Sequence, residues 1–104
     1  MRQFIEKFKN PKDMVGKVVR KRKQMSYICK SVSGNYAFIY VSNVNGRPLC
    51  YEVWKLRYRQ EDDKFNPGGL KFPLDDEFGY YGWCFSYESD AKREFARLVK
   101  EDVQ

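Results

Sequence analysis

Apolar residues recur along the chain with two different periods, and the changes of period divide it into elements. Phe4, Ile5 and Phe8 have helical spacing, so residues 2–9 read as a short amphipathic helix at the N-terminus. Asn10-Pro11 ends it, because a residue before proline is pushed out of the helical region. Met14-Val-Gly-Lys-Val-Val19 reads as a short strand or a turn leading into one. Residues 25–32 (Met-Ser-Tyr-Ile-Cys-Lys-Ser-Val) are rich enough in aromatic and β-branched side chains to form a strand. Ser33-Gly34-Asn35 is a turn, and residues 36–42 (Tyr-Ala-Phe-Ile-Tyr-Val-Ser) are the clearest strand. Asn43-Val-Asn-Gly46 supplies a hairpin turn, since Asn-Gly tolerates positive φ. A long third strand follows over 49–59.

The period then lapses. Residues 60–79 form a long turn-rich loop that is acidic at both ends. Gly82-Trp-Cys-Phe85 reads as a fourth strand, and Ser86 as the cap of a C-terminal helix running to about Lys100. In that helix Ala91, Phe95, Leu98 and Val99 line one apolar face. The expected fold is α+β: an antiparallel meander of three to four strands packed by the C-terminal helix, with a short N-terminal helix, in a single domain over 1–104. Alternation along 49–59 turns Trp54, Leu56 and Tyr58 toward the helix and leaves Tyr51, Lys55, Arg57 and Arg59 on the opposite face.

Composition narrows the chemistry. The chain has 104 residues, 17% aromatic, which supply a core despite 33% charged residues. No apolar run approaches the roughly 18 residues of a membrane span, and the N-terminus has no apolar stretch of the kind a leader needs. Cys29, Cys50 and Cys84 are odd in number and widely spaced, which reads as three reduced thiols in a cytoplasmic protein. Histidine is absent, so no Ser-His or Cys-His nucleophile can be built, and a four-ligand Cys/His zinc site cannot be assembled from this chain alone. Neither cofactor nor metal is expected, and the chain reads as a binding protein without catalytic residues.

Charge points to the partner. Residues 1–60 carry fourteen basic side chains against three acidic ones, whereas 61–104 carry six against eleven. Such asymmetry suggests that the first half meets an acidic partner. One basic group is Lys17 with Arg20, Lys21, Arg22 and Lys23; the other is Lys55, Arg57 and Arg59, accompanied by Tyr51. Bases interleaved with tyrosines suit nucleic acid, with charge for phosphate and rings for bases. A solvated sheet face carries the same residue types, and the acidic tail has the charge to fold back over them.

Two other readings use other residues. A protein–protein inhibitor would present the loop 60–79 with Tyr80 and Tyr81. A metal-dependent nuclease would use the triplets Glu61-Asp-Asp63 and Asp75-Asp-Glu77 near Lys64 and Lys71, although acids in a loop are ordinarily just solvated. Either of two strands, 25–32 or 49–59, offers an edge for homodimer pairing.

The run Tyr51-Glu-Val-Trp-Lys-Leu56, then Pro73, Asp76-Glu-Phe-Gly79, Gly82-Trp-Cys-Phe85, and Ala91 with Phe95 resembles small proteins common in phages and mobile elements of gut bacteria, over about residues 49–98. The resemblance carries no site residues. It implies an origin, and with it a protein that acts in the host cytoplasm by attaching to nucleic acid or to a nucleoprotein, such as an inhibitor of a defence system of the anti-CRISPR kind.

Overall fold

The computed structural model describes residues 4–5, 10–43, 45–59 and 69–102, with the backbone alone for 4–5, 58–59 and 69. Within them the strands are β1 (Phe4–Ile5), β2 (Val18–Arg22), β3 (Met25–Ser33), β4 (Tyr36–Ser42), β5 (Pro48–Lys55), β6 (Arg57–Arg59), β7 (Gly69–Lys71) and β8 (Gly82–Phe85). The helix α1 spans Glu88–Asp102, and single 3-10 turns occupy Pro11–Met14 and Asp75–Glu77. A five-stranded antiparallel sheet has the order β2-β3-β4-β5-β8, and a small three-stranded one the order β1-β7-β6.

The expected α+β class and its sheet-and-helix plan are what the structure has. Several details differ. The helix placed over 2–9 is not there at Phe4–Ile5, which pair in extended conformation with Leu70 and Lys71; residues 1–3 and 6–9 lie outside the described residues. Of the two readings of 14–19, the turn leading into a strand is the one found: β2 starts at Val18 and continues through the basic run to Arg22. Met14 ends a 3-10 turn that Asn10 caps, its side chain accepting from the Lys12 amide at 3.1 Å. In the loop drawn over 60–79, Gly69–Lys71 is strand and Asp75–Glu77 a 3-10 turn; 60–68 lie outside the described residues. The helix begins one residue later than a Ser86 cap requires, with the Ala91 amide donating to the Tyr87 carbonyl at 3.2 Å.

The largest difference is the break in the strand over 49–59. Past Lys55 the chain runs off both neighbours, since Tyr36 opens β4 and Gly82 opens β8. The Leu56 amide donates to the Asn35 carbonyl in the β3–β4 turn, and the chain folds over into the second sheet. Of the two segments proposed as dimer edges, β3 and the β5 part of 49–59 are paired on both sides, whereas β6, the rest of that segment, is an edge of the small sheet; the edges of the large sheet are β2 and β8.

Both faces of the large sheet are covered at its centre, around β4 and β5. On one, Leu98 packs with Tyr36 and Val53, and Phe95 meets Phe38 edge to face at 5.8 Å. On the other, Ala37, Ile39, Val41 and Trp54 meet Met14, Leu70 and Phe72 from the 3-10 turn and the segment around β7. Trp54 and Leu56 therefore face away from α1, and Val53 is the residue of β5 beneath it. Covering on both sides explains why β4 reads as an almost continuous apolar run.

Candidate nucleic-acid interface

The strand break disperses the basic face expected along 49–59. Tyr51, Val53 and Lys55 share the side of the sheet that carries α1, with buried Val53 between the other two. Arg57 belongs to the second sheet, and Arg59 is placed there by register opposite Gly69; the Arg59 side chain lies outside the described residues.

The acidic second half has folded back onto two of the arginines. Asp75 receives the Arg22 guanidinium in two hydrogen bonds of 3.1 and 3.2 Å. Glu77 receives that of Arg57 at 2.8 and 2.9 Å, and the Arg57 hydrogen bonds hold the Glu77 carboxyl below the usual range. Arg57 also lies over the Tyr81 ring at 4.0 Å. The acids Asp75 and Glu77 thus work as anion partners of β2 and β6. Glu61-Asp-Asp63, the other half of the nuclease reading, lies outside the described residues. Arg20 is half-buried, its guanidinium 4.3 Å from the Phe72 ring and 5.3 Å from that of Tyr27. Among the predicted residues of β2 and its turns, Lys17, Lys21, Arg22 and Lys23 are exposed, Arg22 with its guanidinium on Asp75. Lys23 takes the turn into β3 with φ of 55°.

Tyr51 has different company from that expected. The strand registers place Val18, Ile28, Tyr40, Tyr51 and Phe85 in one row across all five strands, Val18 opposite Ile28, Ile28 opposite Tyr40, Tyr40 opposite Tyr51 and Tyr51 opposite Phe85. Tyr40 and Tyr51 meet edge to face at 5.1 Å. The neighbouring row toward α1 is Phe38, Val53 and Trp83, which the helix covers. Helix α1 lies mainly over β4, β5 and β8, so the β2–β3 side of this face extends beyond it. Val18 is 43% exposed, and Ile28, Tyr40 and Tyr51 are half-buried.

Lysines frame the row. A bulge in β3 leaves Lys30 without a pairing partner on β4, between Cys29 opposite Ile39 and Ser31 opposite Phe38. Bulges re-aim side chains, and the Lys30 ammonium lies over the Tyr40 ring at 4.9 Å. Lys21, opposite Ser26, projects from the same face on the edge strand. Arg47, in the β4–β5 connection, and Leu49, at the start of β5, are both exposed. Sequence reading singled out Lys21 and Tyr51 but missed Lys30 and Tyr40. The helical side of β4 could be read from alternation, but a bulge that brings Lys30 over it has no local signature.

On the far face Trp54 donates from Nε1 to Glu52 Oε1 at 2.7 Å. Burial pushes the Glu52 carboxyl upward, while the Trp54 bond opposes it. Cys50 and Cys84 lie beside Glu52; burial pushes the Cys50 thiol up to about 12 and raises that of Cys84, and burial of Cys29 takes it to about 11. Tyr80, of the inhibitor reading, is 75% exposed, whereas Tyr81 is half-buried against Arg57. Among the described residues no helix is long and apolar enough to cross a membrane.

No protein family matches the chain, and neither a curated protein nor a solved structure matches it at a significant level.

Proposed function

We propose that this is a non-enzymatic binding protein that takes single-stranded nucleic acid, free or within a nucleoprotein, on the open part of the helix-bearing sheet face. The observation that carries the reading is the row Val18–Ile28–Tyr40–Tyr51 with the Lys30 ammonium on Tyr40. Half-exposed rings on the central strands of an antiparallel sheet offer stacking surfaces to unpaired bases, each worth about 1–3 kcal/mol. Lys21 and Lys30 share the face of these rings and carry charges that no described carboxylate neutralises by a direct ion pair. They would take the phosphates. Arg22 and Arg57 contribute little in this reading, because Asp75 and Glu77 occupy their guanidinium groups.

The test is fluorescence anisotropy with labelled single- and double-stranded DNA and RNA across a range of salt. Single strands should bind best, with affinity falling by about 0.7 log units per log unit of salt for each phosphate contacted. Tyr40→Ala and Tyr51→Ala should weaken binding without changing that slope. Absence of binding at low salt would overturn the reading and leave the exposed Tyr80 as the place to look for a protein partner.

A further inference from the structure

We propose that Cys50, Glu52 and Cys84 form a site for one thiophilic divalent cation of the zinc class, on the sheet face opposite the nucleic-acid surface. Pairing builds the site. Glu52 stands directly opposite Cys84 across β5 and β8, and Cys50 precedes Glu52 by two residues, so all three side chains emerge on the same side. Their ligating atoms lie within 4.8 Å of one another. A tetrahedral zinc ion with bonds of about 2.0–2.3 Å holds its ligand atoms about 3.5–3.8 Å apart, so small side-chain rotations close the set. Among the described residues this is the one place where three such groups converge.

The surroundings fit a ligand set. Glu52 is only 7% exposed, and a buried carboxylate in a sheet is costly unless it is compensated. The Trp54 indole N–H binds its Oε1 and fixes its orientation, which is the part that outer hydrogen bonds play around metal ligands. Two thiolates and a carboxylate carry three negative charges against two on the ion; the positive charge of Arg20 acts on Glu52 from nearby, while those of Arg22 and its partner Asp75 act in opposite senses. Thiols ligate as thiolates, so uptake of the ion releases their protons to solvent. Access is from the sheet edge, where β8 is the last strand and Cys84 is exposed. Three protein ligands leave the fourth position to water or to an outside ligand.

The reduced full-length chain, titrated with Cd²⁺ and followed by thiolate-to-metal absorption, should saturate at a single equivalent. Competition with a chromophoric chelator gives the Zn²⁺ affinity. Zinc should protect Cys50 and Cys84 from alkylation, read by peptide mass. Cys84→Ser, on the exposed edge, and Glu52→Gln, which keeps an oxygen for the Trp54 N–H, should each weaken Zn²⁺ by about tenfold or more. Circular dichroism confirms that both variants fold. Absence of the absorption band, or zinc that leaves both thiols reactive, overturns the site. Unchanged affinity in Glu52→Gln overturns it as well, since two thiols alone would then account for the metal.

Discussion

Glu77 binds Arg57 and the backbone of its own turn at once: Oε1 accepts from Arg57 at 2.8 Å and from the Leu74 amide at 3.0 Å, while Oε2 accepts from Arg57 at 2.9 Å. The two side chains are 22% and 23% exposed, so water screens the pair only partly. The Arg57 Nε is buried without a hydrogen-bond partner, a cost that the two bonds to Glu77 and the contact with the Tyr81 ring offset. Arg57→Lys cannot reproduce the fork and should cost about 1–3 kcal/mol in urea denaturation.

The same pair sets a pH dependence. The folded-state pKa of Glu77 lies below its unfolded value, chiefly through its hydrogen bonds with Arg57. Its contribution is therefore present in full above the unfolded glutamate range and is lost as pH falls through the folded value. Glu77→Gln should be less stable than the parent at neutral pH, and the gap should narrow on acidification. Denaturant midpoints at a series of pH values check this, and a gap that widens in acid would contradict it.

Gly82 is needed for packing space. A Cβ there would lie 2.7 Å from Pro73 Cγ and 3.2 Å from Phe78 Cε1. Pro73 is fully buried and Gly82 opens an edge strand, so relief requires one of them to shift. Gly82→Ala should destabilise by about 1–3 kcal/mol despite the better strand entropy of alanine. A calorimetric melting temperature at or above that of the parent would show that the β7–β8 connection is looser than this geometry.

The two faces of the large sheet should behave as separate cores. Leu98 belongs to the helix side and Ile39 to the other, with no shared cluster. Leu98→Ala should cost about 2–4 kcal/mol and Ile39→Val about 1 kcal/mol. The double variant should equal their sum within about 0.5 kcal/mol. A larger discrepancy in denaturation would mean that β4 transmits strain from one face to the other.

On the nucleic-acid reading the cations should not be equivalent. Lys21→Ala and Lys30→Ala should each flatten the dependence of log affinity on log salt by about 0.7. Arg22→Ala should change it much less, because Asp75 already holds that guanidinium. Anisotropy titrations of the three variants decide the order, and a dominant Arg22 would move the binding surface to the other side of β2.

Period, turn chemistry and composition determined a good part of this protein. They placed β3, β4, β8 and α1 within a residue or two and put Ala91, Phe95, Leu98 and Val99 on one face, because these features depend on near neighbours. They also located the charge, though not its partners. Only the tertiary structure decided that the strand beginning near residue 49 stops at Lys55, since a strand ends where neighbouring strands end, and those lie elsewhere in the chain. It decided that Trp54 faces away from the helix, once residues around β7 offered a second apolar layer. It also paired Arg22 with Asp75, 53 positions apart, in an exposed ion pair, and Arg57 with Glu77 in a partly buried one, which gave two predicted contact residues partners within the chain. Local pattern records which side of a strand a residue occupies; what covers that side depends on how distant segments pack.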